Sequence, residues 1–227
     1  PTLECFVPHA SVARAVRLGA LGLLQGDPVL LAGPPGSGKT ALAEHLAAAA
    51  GRAGDVVALH MDDHVDAKAL VGSYVCGRAP GEYVWRNGPL AHAVERGKWL
   101  LLEDVDVAPP DVLALLEPVV RDGRLPVPGR SRTLRARPGF QVLATVATPA
   151  ADVAAPRDHH ERIRDALANA RVSDAVKAAW TLVPVPAPGP ADVRRVLAAR
   201  HPELAPVAPL ALATLEAMQR VAGQVGP

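Results

Sequence analysis

Eight consecutive residues, Gly33-Pro34-Pro35-Gly36-Ser37-Gly38-Lys39-Thr40, carry the clearest chemistry in the chain. They match the phosphate-binding loop pattern G-x-x-x-x-G-K-[ST] at every fixed position. Glycines let a backbone wrap close to phosphate oxygens. Free N–H groups at a following helix start then face the anion. Lys39 is expected to reach the β- and γ-phosphates, and the Thr40 hydroxyl to ligate Mg²⁺. The expected nucleotide-binding set is Gly33, Pro34, Pro35, Gly36, Ser37, Gly38, Lys39 and Thr40, with Ala41 next to it.

Phosphoryl transfer to water also needs acids at a strand end near that loop. One holds Mg²⁺ and another polarises the attacking water. Leu100-Leu101-Leu102-Glu103-Asp104 has this form, an apolar strand followed by two carboxylates. The usual order is Asp then Glu; here it is reversed. Glu103 is expected to face the metal, and Asp104 to act as the base with a side chain one methylene shorter. A misplacement of about 1 Å costs roughly 100-fold in rate.

The elements that would position these groups follow from the pattern of apolar runs. Pro28 to Ala32 reads as a buried parallel strand, and Ala41 to Ala50 as an Ala/Leu-rich helix. Val12 to Leu24 reads as an amphipathic helix, and Asp55 to His60 as the second strand. Asp66 to Val71 is a short helix, and Gly72 to Trp85 a Gly-rich insert with strand-like pieces. Pro89 opens a helix to about Arg96, at a position where proline is tolerated. Trp99 to Leu102 is the third strand. Pro110 to Asp122 is a helix with Pro118 inside it and Gly123 as its stop. Arg124 to Pro138 reads as an Arg-rich hairpin turning at Pro128-Gly129. Phe140 to Val146 and Trp180 to Val183 are the last two strands. The stretch from Ala147 to Ala170 reads as mostly loop, and residues 191–200 and 210–222 as helices. Strands alternating with helices imply an α/β fold with a parallel sheet covered on both faces. A nucleotide then belongs at the carboxyl ends of the strands.

Composition narrows the classes. The 227 residues suffice for one α/β domain and a small appendage. A net charge of +1 favours no polyanionic or polycationic partner in bulk. Cys5 and Cys76 lack metal spacing and read as reduced thiols of an intracellular protein. No apolar run reaches membrane-spanning length, so no membrane role is expected. The chain opens on Pro1, which suggests a piece of a longer protein. His60, Asp62, Asp63, His64 and Asp66 resemble a metal cluster, but a solvated loop is the plainer reading. His159-His160-Glu161 is read the same way.

Taken together, these residues resemble the AAA+ ATPases, and among them the midasin family of dynein-like ring proteins of ribosome assembly, in its first ATPase module. The match is carried by Gly33 to Thr40, Asp66 to Gly72, Pro80 to Trp85, Gly88-Pro89-Leu90 and Trp99 to Asp106 with Ala108-Pro109. It continues through Pro128-Gly129-Arg130 and Pro138 to Thr145, and covers roughly residues 8 to 205. The resemblance implies a P-loop NTPase three-layer fold with a five-stranded parallel sheet over residues 1–183. The start of a small helical lid would occupy residues 184–227. It implies ATP and Mg²⁺ as ligands. The implied partners are neighbouring AAA+ modules of the same long chain and assembly factors on precursors of the large ribosomal subunit. The implied location is the nucleus, in nucleolus and nucleoplasm.

The chain departs from the general AAA+ pattern beyond the Glu103-Asp104 order. The polar sensor of the fourth strand falls on Ala147, with Thr148 nearby, and the arginine expected before the fifth strand falls on Ala179. These departures favour weak hydrolysis in this module, or a nucleotide-binding structural module of the ring. A stand-alone chaperone ATPase of the MoxR type is the further alternative. Arg121, Arg124, Arg130, Arg132, Arg135 and Arg137 concentrate charge around the hairpin. Without interleaved aromatic platforms, an inter-module role is expected there rather than direct RNA contact.

Overall fold

The computed structural model describes residues 6–78, 81–127, 132–148 and 180–204, and beyond them residues 206, 207, 209, 210, 213, 214 and 217. Residues 149–179, the hairpin turn at 128–131 and most of the expected helix at 210–222 lie outside the described residues. So do Cys5, Ala179 and His159-His160-Glu161.

The central sheet is built from β1 (Val29–Gly33), β2 (Val56–His60), β5 (Trp99–Glu103), β8 (Gln141–Ala147) and β9 (Thr181–Pro184). Its order is β2-β5-β8-β1-β9, and every pairing is parallel. The five-stranded parallel sheet is thus as expected. β9 runs one residue past the expected domain boundary at 183. Val185, fully buried, still donates its N–H to Ala32 O at 2.7 Å.

Side chains alternate across these strands and create two cores. Val29, Leu31, Leu101, Leu143 and Val183 face α1 (Ala13–Gln25) and α2 (Lys39–Ala49), where Leu42, Ala43 and Leu46 meet them. Leu30, Leu100, Leu102, Val142 and Ala144 face the opposite way, towards α4 (Pro89–Arg96) and α5 (Pro110–Asp122). Burial on both faces explains why the strands read as unbroken apolar runs.

Helix ends follow local chemistry. α4, α5 and α6 (Pro190–Arg200) each open on proline, whose missing N–H costs nothing in a first turn. α3 (Ala67–Val71) is capped by Asp66, whose carboxylate accepts the Lys68 N–H at 2.9 Å. Pro118 does not end α5, which runs on to a left-handed Gly123. The carbonyl that Pro118 leaves without an N–H belongs to Ala114, on the exposed side of the helix, where water can take it. α6 is fastened to the N-terminal segment: Asp192 accepts from the Ser11 hydroxyl and the Gly189 N–H and lies 3.4 Å from His9 Nδ1.

Two small antiparallel hairpins stand off the sheet. The Gly-rich insert forms β3 (Gly72–Cys76) and β4 (Tyr83–Asn87), and the Arg-rich segment forms β6 (Arg124–Pro126) and β7 (Thr133–Arg135). A polar relay joins them through α4. Trp85 Nε1 donates to Asn87 Oδ1 at 2.7 Å, Asn87 Nδ2 donates to Glu95 Oε2 at 2.6 Å, and Glu95 Oε1 lies 3.6 Å from Arg132. Among the described residues no helix is long and apolar enough to cross a membrane.

Candidate nucleotide site

β1 delivers its last residue, Gly33, to a loop that turns back into α2. The glycines serve two different needs. Gly36 and Gly38 have φ of 76° and 87°, with open space where a Cβ would stand. They are required by backbone conformation. Gly33 has an ordinary φ, but a Cβ there would meet the Val185 carbonyl oxygen at 2.1 Å. It is required by space.

Gly38 precedes the first turn of α2, so Lys39 begins the helix two residues earlier than the sequence suggests. The Lys39 side chain is buried and folds back over the loop. Its Nζ donates to Gly33 O at 2.9 Å and to Pro34 O at 3.0 Å. Burial lowers its pKa below the ordinary lysine value, while the nearby charges of Asp104 and Asp106 pull the other way.

A cavity of about 970 Å³ opens above the loop. Its wall includes Pro35, Gly36, Gly38, Lys39, Thr40 and Ala41, and across from them Asp104, Asp106, Thr145 and Ala147. His60 at the end of β2 and Met61 to Asp63 after it close another side. Of the expected binding residues, Gly33, Pro34 and Ser37 support the loop from behind rather than lining the cavity. Gly33 and Pro34 do so by holding Lys39. Ser37 is buried, with its hydroxyl unpartnered among the described residues.

The two expected acids both approach His60 Nδ1, Glu103 Oε2 at 3.7 Å and Asp104 Oδ2 at 3.9 Å, but they differ in their relation to the cavity. Asp104 lines the cavity. Glu103 stands beside it on β5, where it is paired in register with His60. It is not among the cavity-lining residues. The backbone turns sharply at Asp104 (φ 53°, ψ 50°), the one non-glycine residue with positive φ among the described residues. Such strain concentrates at functional positions. The short helical turn Val105–Val107 that follows aims Asp106 into the same cavity.

Sequence reasoning missed Asp106 and Thr145 as site residues. Asp106 Oδ1 is buried without a hydrogen-bond partner. Burial raises the pKa of this carboxyl; the amides of Asp106 and Ala147 lower it in part, Asp104 raises it and Lys39 lowers it. Thr145, only 2% exposed, accepts the Asp104 N–H on its hydroxyl at 3.0 Å. The strand pattern carries a signal for Thr145: it is a polar residue inside the apolar run from Val142 to Ala147 of β8.

The donor set suits a hard divalent cation brought in with a nucleotide. Thr40, Asp104 and Asp106 offer only oxygens to one cavity, and one carboxylate oxygen is without a partner. Mg²⁺ is ordinarily held this way, by one or two carboxylates plus phosphates and water. No group of three or more His, Cys, Asp or Glu side chains among the described residues is arranged to hold a metal by itself.

The family description "AAA domain (dynein-related subfamily)" matches residues 28–161, from the first strand through the loop, the acids and β8. The chain belongs to this AAA domain family. Among curated relatives, midasin of Dictyostelium discoideum is 35% identical over 185 residues, covering 82% of this chain and 3% of midasin. NorQ of Paracoccus denitrificans (strain Pd 1222) is 41% identical over 119 residues, covering 52% of this chain and 43% of NorQ. The chain therefore spans a small part of the first and less than half of the second. Among solved structures, NtrX of Brucella abortus in complex with ATP superposes with a TM-score of 0.58 at 15% identity. It covers 86% of this chain and 42% of that one, a likeness of fold. The dynein-related AAA chain thus has the P-loop NTPase fold, with its loop, lysine and acids around one cavity.

Proposed function

We propose that this chain is an ATP-binding AAA+ module of a midasin-like ring ATPase that remodels precursors of the large ribosomal subunit. The observation that carries the nucleotide reading is the meeting of the buried Lys39 with Asp104 and Asp106 across one cavity above the glycine loop. The midasin reading is supported by 35% identity over 82% of the chain.

In this reading the loop amides and Lys39 bind the β- and γ-phosphates. Bound Mg²⁺ would neutralise charge on the triphosphate, held by Thr40 with Glu103 or, from its place in the cavity, Asp106. Asp104 orients and deprotonates water for attack on the terminal phosphorus. Its side chain is one methylene shorter than glutamate, so hydrolysis in this module is slow. The partners are neighbouring AAA+ modules of the same long chain and ribosome-assembly factors, with no direct RNA contact. The place of action is the nucleus.

A second reading is favoured by one finding: the chain is 41% identical to NorQ over 119 residues. It makes the protein a MoxR-type chaperone ATPase. A module that binds nucleotide to hold a ring together, without turning it over, is the remaining variant.

The test is Mg-ATP binding and phosphate release by the full-length protein and its Lys39→Ala variant. The variant is expected to lose this module's share of bound nucleotide while its circular dichroism stays unchanged. Undiminished binding would remove the site assignment. The length of the gene separates the two family readings: several further AAA modules support midasin.

A further inference from the structure

We propose that Thr145 is a positioning residue of this site, a hydroxyl that holds Asp104 in its turned conformation and couples it to the triphosphate end of the nucleotide. The inference rests on the nucleotide reading above and deepens it. Ladder pairing between β5 and β8 stops at Leu102↔Ala144, so the chain leaves the sheet before Asp104 and its N–H has no strand partner. The Thr145 hydroxyl takes that N–H at 3.0 Å from a side chain that is almost wholly buried. Asp104 is also where φ turns positive. A conformation of that kind persists only when its surroundings over-determine it.

The hydroxyl has a second capacity. It accepts one bond and can donate another. No acceptor for its proton appears among the described residues, and Thr145 lines the cavity. Side chains two apart on a strand share a face. Thr145 therefore presents its hydroxyl on the face that carries Ala147, opposite Leu31 in β1, as Ala147 is opposite Gly33. The polar group missing at Ala147 is thus supplied one step back along the same face. From there it is bonded to the amide of the acid expected to direct water.

The experiment compares Thr145→Val, which keeps the shape and removes the hydroxyl, with Thr145→Ser, which keeps the hydroxyl. Both are made in the full-length protein, with Lys39→Ala defining this site's share of binding. Thr145→Val is expected to bind Mg-ADP within about twofold of wild type and Mg-ATPγS about tenfold more weakly, the loss of one hydrogen bond to a charged group. Thr145→Ser is expected to restore the ATPγS preference to within about threefold. Should Thr145→Val fail to fold, Thr145→Cys, a weaker donor and acceptor, is expected to bind Mg-ATPγS more weakly than Thr145→Ser while Mg-ADP binding stays within about twofold of wild type. Equal weakening of both nucleotides, no weakening of either, or failure of Ser to rescue overturns the inference and leaves the nucleotide reading standing. If wild type and Lys39→Ala bind alike, the nucleotide reading itself falls, and this inference with it.

Discussion

Gly33 lies so near Val185 that a Cβ on it would stand 2.1 Å from the Val185 carbonyl oxygen and 3.0 Å from the Ser37 hydroxyl. That carbonyl belongs to backbone held by its own N–H on Ala32. It cannot swing aside as a side chain would. Gly33→Ala is expected to cost about 3 kcal/mol, the upper end for overpacking in a filled interior. Gly36→Ala and Gly38→Ala should cost roughly 1–2 kcal/mol each, through conformation alone. Urea unfolding of the three variants checks the order.

Lys39 makes nucleotide binding a proton-linked event. Its pKa in the fold is lowered by burial, so between that value and 10.5 the folded chain binds fewer protons than the unfolded one. Stability of the nucleotide-free chain therefore rises with pH across that window. A bound triphosphate favours the ammonium form, and binding in alkaline solution is expected to take up a proton. Calorimetry in buffers of different ionisation enthalpy measures the uptake. Lys39→Ala should abolish it.

Asp106 should trade stability against metal dependence. Burial raises its carboxyl pKa above the ordinary 3.8, so stability falls as pH rises from 3.8 through the folded value. At neutral pH the charged form is a net cost. Asp106→Asn is expected to raise the melting midpoint, because it removes a buried charge that burial disfavours. The same change should raise the Mg²⁺ concentration needed for nucleotide binding about tenfold. A midpoint that falls would contradict the first expectation.

The attachment of α6 depends on one carboxylate. The Ser11 hydroxyl chiefly, with the Gly189 amide and the charges of His9 and Arg195, holds Asp192 below its usual value of 3.8. Its contribution is present above 3.8 and is lost as pH falls through the lower, folded value. Asp192→Ala is expected to cost no more than about 1 kcal/mol, because the pair is partly solvated. Amide exchange over residues 190–200 should nevertheless rise, with little change elsewhere.

Much of this architecture was legible because it is local. The largely apolar runs at Pro28–Ala32, Trp99–Leu102 and Phe140–Val146 read as buried strands, and glycine or proline marks the ends of α4 and α5. The glycine loop announced itself by spacing. What escaped sequence reasoning are relationships across space. Thr145 and Asp104 are 41 residues apart, and their bond exists because β5 and β8 are neighbours and their ladder ends one step early. The Asp104 turn sends Asp106 into the cavity while Glu103 stays outside its wall, and no spacing rule separates three acids so close in the chain. The family resemblance did anticipate the α/β fold and its five parallel strands, which the family match supports independently.

The chain of contacts Trp85–Asn87–Glu95–Arg132 runs from one hairpin across α4 to the other. These links are solvent-exposed and the Glu95–Arg132 pair lies at the surface, so they tether the two ribbons weakly, by about 1 kcal/mol or less at the ion pair. Glu95 is the side chain that reaches towards both hairpins, and the tether between them is lost with it.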